Sequence, residues 1–489
     1  MRARSLLVGV IAAGALLAVA ERGAEACGGC FTAPPPPPPS PRPPSVVTDH
    51  RMIVSISQGQ TTLYDELRYS GDPESFAWVL PISGTAKIGV SSDGLFSTLE
   101  AMTQVTVIAP PQNCPSPPSS CNQYGDLNAE APSAAGGSSG SSGGVTVTAQ
   151  QTVGPYETVQ LSATDPTALN QWLTSHGYAV PPDITPVIDQ YVAEHFDFLA
   201  LKLVPGTGIQ AMRPVRVTTT GASAVLPLRM VAAGTGATVG VTLWTVAEGR
   251  YEPQNFPFFQ IKQEELEWDW TTYSSNLAQL RTERTAALAG RGWELESSVS
   301  FPKDQLSGYV TNGYCQPYQG GYGGYPGGGS GGGASAPAYA CSGAQNDYEA
   351  EDGGTGPGRT KQEVQADDLE ALLAGIPSAV RITRTHASLA HASLDRDLVL
   401  SASADQGLLA PARTVTREKN QPTCTIYKGC DAVGTAPRDE AIARSDASGG
   451  SNESFSCAVT APSHRRSSVL TLVGLAALAL VLSKRLRRK

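Results

Sequence analysis

Histidine and methionine are scarce in this sequence of 489 residues, which contains six and five of them, and charged residues make up only 16%. So few histidines leave little choice of catalytic base or imidazole metal ligand. Basic residues are also outnumbered, because 35 lysines and arginines stand against 44 aspartates and glutamates, for a net charge of −9. No basic stripe occurs between the two ends of the chain, so the sequence argues against nucleic acid as a partner.

The few histidines do not form a recognisable site. His386 and His391 lie five residues apart with Asp395 nearby, whereas a metal pair sits better at i and i+4 on a helix or i and i+2 on a strand. His50 follows Asp49, which could orient it as a base, but no nucleophile motif accompanies the pair. We therefore predict no catalytic, cofactor-binding or metal-binding residues and no cofactor.

The N-terminus has the pattern of a secretion signal. Arginines at positions 2 and 4 precede an apolar stretch at 6–20, and Ala24 and Ala26 supply the small residues of a cleavage site. We expect cleavage to leave Cys27 as the first residue of the mature chain. Lipidation of this cysteine is the alternative, although Ala24 stands where bacterial lipoprotein signals usually carry leucine.

The C-terminus predicts a single membrane span. Residues 469–482 are apolar or small apart from Thr471, and five of the six residues at 484–489 are basic. As a helix over 467–483 the segment rises roughly 25 Å, slightly short of a hydrocarbon core of about 30 Å, and Lys484 and Arg485 can snorkel to cover the difference. The positive-inside rule places the basic end in the cytoplasm. This end resembles the tripartite sorting tails of Gram-negative bacteria, including the myxobacterial C-terminal sorting domain. In that domain a cysteine lies just before the span, whereas the nearest one here is Cys457.

Nine cysteines in an exported chain predict disulfides. The close spacing of three pairs favours local crosslinks: Cys114 with Cys121, Cys315 with Cys341, and Cys424 with Cys430. For the remaining three, either Cys27 pairs with Cys30, or one of these is modified and the others pair, with Cys457 included. The odd count leaves at least one thiol free, lipidated or intermolecular.

Composition divides the chain because its 51 glycines and 37 prolines are concentrated in a few segments. The predicted fold class is α+β, mainly antiparallel β-sheet with a few packed helices, long Pro/Gly-rich loops and one C-terminal transmembrane helix. The predicted segments are a signal peptide (1–26), a Pro-rich stalk (27–45), an α+β globular domain with a disordered loop near 110–144 (46–304), a Gly/Tyr-rich disordered insertion (305–361), a helix and strands completing the globular domain (362–416), a polar stalk (417–466), the transmembrane helix (467–483) and a basic cytoplasmic tail (484–489).

Apolar periodicity and turn residues locate the elements of the globular part. Strands are predicted at 46–47, 52–56, 61–69, 76–80, 145–153, 156–161, 197–204, 212–218, 224–231, 238–246, 379–385 and 398–402. Helices are predicted at 93–102, 165–176, 185–195, 264–288 and 363–374.

Several motifs in order resemble the bacterial family of proteins with domain of unknown function 2330. The resemblance covers about 26–260, with the piece at 362–402, and it implies an exported, envelope-associated protein without supplying an activity, a cofactor or catalytic residues. The segments that carry it are Ala26-Cys27-Gly28-Gly29-Cys30-Phe31, Tyr69-Ser70-Gly71-Asp72, Phe76-Ala77-Trp78-Val79-Leu80-Pro81-Ile82, Val153-Gly154-Pro155-Tyr156-Glu157, Leu169-Asn170-Gln171-Trp172-Leu173, Gly177-Tyr178, Phe198-Leu199-Ala200-Leu201-Lys202-Leu203 and Pro227-Leu228-Arg229.

The sequence predicts an exported, membrane-anchored envelope protein that is more a binding or structural module than an enzyme. Its globular part would lie in the periplasm or on the cell surface. Its expected partners are the lipid bilayer, through the C-terminal helix, and an envelope protein or polysaccharide. The alternative is a hydrolase of envelope polymers that uses paired carboxylates, with residues such as Glu264 or Asp72 as acid or base.

Overall fold

A computed structural model provides the structure of the protein. It describes residues 29–32, 46–70, 76–82, 86–118, 121, 150–161, 166–178, 180–204, 212–317, 339–341 and 361–445.

Twenty-five strands occur in the described residues. In chain order they are β1 (Cys30–Thr32), β2 (Val46–Ile56), β3 (Gln60–Ser70), β4 (Phe76–Ile82), β5 (Ala86–Val90), β6 (Thr106–Ile108), β7 (Gln150–Val153), β8 (Tyr156–Leu161), β9 (Asp197–Leu203), β10 (Val215–Thr220), β11 (Val225–Leu226), β12 (Thr235–Ala247), β13 (Tyr251–Pro253), β14 (Phe258–Phe259), β15 (Glu267–Asp269), β16 (Ser274–Ser275), β17 (Trp293–Pro302), β18 (Cys315–Pro317), β19 (Tyr339–Cys341), β20 (Ala379–Ala390), β21 (Leu398–Ala402), β22 (Ala412–Thr414), β23 (Arg417–Lys419), β24 (Thr423–Lys428) and β25 (Asp431–Pro437).

Eight α-helices occur in the same residues, together with short 3-10 helices at Gln263–Glu265 and His391–Ser393. The α-helices are α1 (Asp93–Thr103), α2 (Pro166–Ser175), α3 (Thr185–Ala193), α4 (Leu228–Val231), α5 (Leu277–Ala287), α6 (Lys303–Asn312), α7 (Lys361–Leu373) and α8 (Arg438–Arg444).

An eight-stranded sheet forms the centre of the fold, in the order β14-β17-β20-β12-β2-β3-β10-β5. It is antiparallel except where β2 pairs with β12 and β14 pairs with β17. Side chains alternate between its faces, as the two-residue period of a strand requires. On β2, Met52 and Val54 join one core cluster, whereas Ile53 between them joins another. The sheet is therefore buried on both sides.

Helices α1, α6 and α7 cover one face of this sheet, where apolar side chains of all three pack around Trp244 of β12. The opposite face packs against a five-stranded antiparallel sheet, in the order β1-β4-β9-β8-β7, and against α2, α3 and α4. Two layers of sheet with helices outside them bury most of the large apolar side chains.

Gly29 fixes the start of the five-stranded sheet. Its φ of +65° is a conformation that other residues rarely adopt, and its N–H donates to the Met230 carbonyl at 2.8 Å. A Cβ at this position would lie 2.5 Å from the Val79 carbonyl oxygen. The second glycine of the C-G-G-C motif is therefore required by close backbone contact.

The predicted fold class was wrong. The structure is mostly β-sheet, divided among several separate sheets, with the eight helices packed around them. No helix in the described part of the chain is long and apolar enough to cross a membrane, so the predicted transmembrane helix has no support there. The predicted span (467–483), the basic tail (484–489) and the signal peptide (1–26) lie outside the described residues.

The predicted helix at 264–288 is reduced to α5 at its C-terminal end. The preceding residues form a 3-10 turn and the strands β15 and β16. Trp268 and Trp270 lie in this part, and aromatic residues favour the pleated surface of a sheet over a helix. Likewise, the predicted strand at 224–231 is a two-residue strand followed by α4.

Two segments expected to lack packed structure are folded where they are described. Helix α6 lies at the start of the expected insertion (305–361), where Leu306 and Val310 share one helix face and are buried. The expected polar stalk (417–466) contains β23, β24, β25 and α8. Its Ile426 and Ala441 form a small core with Cys424, and a core of this size depends on covalent support.

Candidate functional site

The strands β17 and β20 bring two titratable side chains together. Glu294 and His386 are direct partners in this antiparallel pair. The register then shifts between Leu295 and Ser297, so Glu296 is the extra residue of a β-bulge. Bulges re-aim side chains next to sites of function. The carboxylate oxygens of both glutamates and a ring nitrogen of His386 all lie within 4.8 Å of one another.

Arginines neutralise the two carboxylates. Arg281 of α5 donates from Nε to Glu294 at 2.7 Å and from Nη2 to Glu296 at 2.5 Å. The Nε atom of Arg384 also lies 2.5 Å from Oε2 of Glu296, although the two atoms are not aligned as a hydrogen bond. Both glutamate side chains are almost fully buried, whereas Arg281 is one-third exposed. Buried charges of this kind are retained only when they are paired.

Burial shifts the pKa values of the two partners in opposite senses. Burial raises the pKa of Glu294, against the effect of the Arg281 guanidinium that contacts it. Burial also lowers the pKa of His386, against the attraction of Glu296. His386 is therefore a neutral imidazole at pH 7, and one of its ring nitrogens carries a free lone pair.

A cavity of about 370 Å³ opens beside these side chains. We call it the α5 pocket, and its principal walls are Arg281, Thr285 and Ala286 from α5 and Glu294, His386 and Ser388 from the two strands. Its volume lies in the range of small-molecule sites. The pocket combines an apolar wall with a few convergent charged groups.

The charges of the pocket continue as a ladder of ion pairs across the helix-covered face of the sheet. Glu100 of α1 pairs with Arg384 at 2.8 Å and with Arg51 at 3.3 Å, and Arg51 pairs in turn with Glu66 at 2.6 Å. The guanidinium groups of Arg51 and Arg384 each lie 5.3 Å from the ring centre of Trp244. Cation–π contacts therefore support this series of ion pairs.

The histidines weighed in the sequence are not brought together as a pair. His386 lies on β20 beside the glutamates, whereas His391 lies on a 3-10 helix with its Nε2 3.2 Å from the Ala232 carbonyl. Asp395 pairs with arginines on the surface. His50 contacts the buried carboxylate of Asp65 at 3.2 Å. The Asp49–His50 hypothesis thus named the wrong carboxylate.

Disulfide bonding is confirmed, but the predicted local pairing of four cysteines was wrong. Cys114 is bonded to Cys424 and Cys121 to Cys430, across sequence separations of 310 and 309 residues. Both bonds join the segment after β6 to the β24–β25 hairpin, because the fold places two segments side by side that are distant in sequence.

Cys315 and Cys341 are direct backbone partners in the pairing of β18 with β19. Cys30 lies on β1, opposite Trp78 of β4. Cys27 and Cys457 lie outside the described residues.

The carboxylates of the hydrolase alternative do not form a pair in the described structure. Glu264 lies on the exposed 3-10 helix that precedes β15, and Asp72 is outside the described residues. The alternative is therefore not supported. The glutamates that do converge were missed, although alternation in Trp293-Glu294-Leu295-Glu296 is a strand signal that places both on one face.

Comparison with known proteins gives a family but no activity. The family model described as "Uncharacterized protein conserved in bacteria (DUF2330)" matches residues 26–312. No curated protein matches the chain. Among solved structures, the crystal structure of baculovirus P35 aligns with 56% of this chain and 76% of its own, at 8% identity and a TM-score of 0.23. Similarity at this level does not establish a common fold.

Proposed function

This chain belongs to the DUF2330 family of uncharacterised bacterial proteins, and we propose that it acts as an exported, disulfide-stabilised binding module whose ligand occupies the α5 pocket. The observation that carries the proposal is the pocket itself, where Arg281, Glu294 and His386 converge beside a cavity of about 370 Å³. Convergence of a few charged groups in an otherwise apolar cavity is the usual form of a ligand site.

Export is supported by the two disulfides. Cytosolic reductants keep such thiols reduced, so crosslinks that close loops of about 310 residues point to an oxidising compartment. The secretion-type pattern of residues 1–26 favours the same compartment.

Binding is favoured over catalysis by the state of the carboxylates. A general base needs a carboxylate free to accept a proton. Glu294 and Glu296 are both engaged by Arg281, and Glu296 also faces Arg384. These ion pairs fix the positions of the charged groups in and beside the pocket wall.

Two adjacent alanines at the end of α5 allow a matched test. Ala286 lines the pocket, whereas Ala287 is exposed and is not part of its wall. Full-length protein is immobilised and incubated with envelope extract of the source bacterium, and the retained glycans, peptides and small molecules are quantified by mass spectrometry. A ligand retained by wild type and Ala287→Trp but lost from Ala286→Trp supports the proposal. Equal retention by all three proteins, or by none, contradicts it.

A further inference from the structure

We infer that Glu294, Glu296 and His386 form a binding site for a divalent transition-metal cation such as Zn²⁺, and that Arg281 is the internal cation that the metal displaces. The inference rests on the proposed binding role of the α5 pocket and names the ligand class for that site.

The first support is the geometry of the donor atoms. In a tetrahedral zinc site, ligand atoms about 2.0–2.2 Å from the metal lie roughly 3.3–3.6 Å apart. The three donor atoms already lie within 4.8 Å of one another, so each pair needs to approach by at most about 1.5 Å to close the site. The donors come from two hydrogen-bonded strands and a bulge, and rigid elements of this kind hold ligands more accurately than loops.

The second support is the chemistry of the donor set. An imidazole with two carboxylates suits zinc and similar ions, whereas sites for magnesium and calcium use oxygen donors alone. Three protein ligands leave a fourth position, and the adjoining cavity provides room there for water or for a ligand atom.

A third, independent support is an unsatisfied oxygen. Oε2 of Glu296 is buried, on a side chain only 4% exposed, and it accepts no hydrogen bond from the described residues. Its neighbour Arg384 is close but misaligned, and the Nε and Nη1 atoms of Arg384 also lack hydrogen bonds there. Arg384 matches the charge of this oxygen but leaves its hydrogen-bonding capacity unused. A metal ion bound to the carboxylate would use that capacity.

Metal binding requires Arg281 to leave the two carboxylates. In this structure its guanidinium is paired with both carboxylates, but the side chain is one-third exposed and extends from α5 at the pocket rim. It can therefore move into solvent when a metal ion arrives. Because the two cations compete for the same carboxylates, removal of Arg281 should tighten metal binding even as it weakens the apo fold.

Competition with Arg281 gives the decisive experiment. Chelator-treated full-length protein, with free thiols alkylated, is titrated with Zn²⁺ in a calorimeter. We expect one zinc per chain, binding at least about tenfold tighter in Arg281→Gln and at least about tenfold weaker in His386→Ala. His391→Ala is the matched control and should bind as wild type does.

Absence of zinc binding in both wild type and Arg281→Gln overturns the inference, as does binding that His386→Ala leaves unchanged. Near-UV circular dichroism of each apo protein shows whether a variant has kept its fold. The retention test with Ala286→Trp is run both in chelator and with added Zn²⁺. Absence of zinc binding in the calorimeter overturns the inference, whereas equal retention by wild type, Ala286→Trp and Ala287→Trp under both conditions overturns the pocket proposal, so the two failures are separate results.

Discussion

Glu294 and His386 face each other across neighbouring strands of the central sheet, as direct partners in the pairing of β17 with β20. The bulge one residue later adds Glu296 to the same cluster. A carboxylate pair and an imidazole therefore meet on a surface that is otherwise core. Their charges are matched by Arg281 of α5 and by Arg384 of β20.

The buried ion pairs of the pocket are expected to be important for stability. Replacement of Glu296 by Gln leaves Arg384 and Arg281 partly uncompensated, and we expect the free energy of unfolding to fall by about 3 kcal/mol. Glu265→Gln is the matched control, because Glu265 also pairs with an arginine at 2.5 Å but on the surface. That change should cost at most about 1 kcal/mol. Urea denaturation measures both values, and equal losses would contradict the account.

Much of the local structure could be predicted from the sequence. The strand predictions at 156–161 and 398–402 match β8 and β21 in full, and the helix predicted at 165–176 matches α2 within a residue at either end. These elements have clear apolar periods and clear boundaries, such as the proline at the start of α2 and Gly177 after it. Local signals of this kind do not depend on the rest of the fold.

The candidate site and the crosslinks could not be predicted in the same way. Glu294 and His386 are 92 residues apart, and only the strand order of the sheet makes them neighbours. The disulfide partners are also determined by long-range contacts. Close spacing in the sequence favoured a bond between Cys114 and Cys121, whereas the fold bonds each of them to the distant β24–β25 hairpin. Strand order and long-range contact are properties of the whole chain.

The two disulfides should act non-additively. While one bond is intact, the other closes a ring of only about 15 residues, and its removal should cost about 3 kcal/mol. Removal of the last bond opens a loop of 310 residues and should cost about 6 kcal/mol. Urea denaturation of Cys114→Ser/Cys424→Ser, Cys121→Ser/Cys430→Ser and the fourfold variant measures these losses. The fourfold loss should exceed the sum of the two separate losses, and a smaller fourfold loss would contradict the nested-loop interpretation.

Asp368 makes stability depend on pH in a sense unusual for a carboxylate. Burial raises its pKa to about 6, although Arg216 donates to it at 2.5 Å and Ser91 at 2.7 Å. The folded state thus holds this proton more tightly than the unfolded state does. Its contribution is complete below about pH 4 and is lost, to the extent of about 3 kcal/mol, as the pH rises through 6.

The measurement for Asp368 is the difference in unfolding free energy between wild type and Asp368→Asn, taken from pH 4 to pH 7. We expect the unfolding free energy of the wild type to fall relative to that of Asp368→Asn as the pH rises. Asp395 is the control: hydrogen bonds from Arg396 and Arg291 lower its pKa, so its contribution is lost as the pH falls. A difference for Asp368 that grows in favour of the wild type with rising pH would show that the Arg216 ion pair dominates.

Gly29 and Gly308 should respond in opposite directions to the same substitution. Gly29→Ala places a Cβ against the Val79 carbonyl in a backbone conformation with φ of +65°, and should destabilise the fold by about 1–3 kcal/mol. Gly308 lies within α6 with open space around it, so Gly308→Ala should stabilise by up to about 1 kcal/mol. Thermal unfolding of both variants tests the pair, and a neutral Gly29→Ala would contradict the close contact.

We propose that this chain is a crosslinked module of an oxidising compartment, and the state of its cysteines in the cell tests this most directly. Thiols are alkylated in living bacteria, the protein is isolated without reductant, and its peptides are mapped by mass spectrometry. The account predicts crosslinked peptides that join Cys114 to Cys424 and Cys121 to Cys430. Alkylated thiols at these four positions, or the local bonds Cys114–Cys121 and Cys424–Cys430, would contradict it.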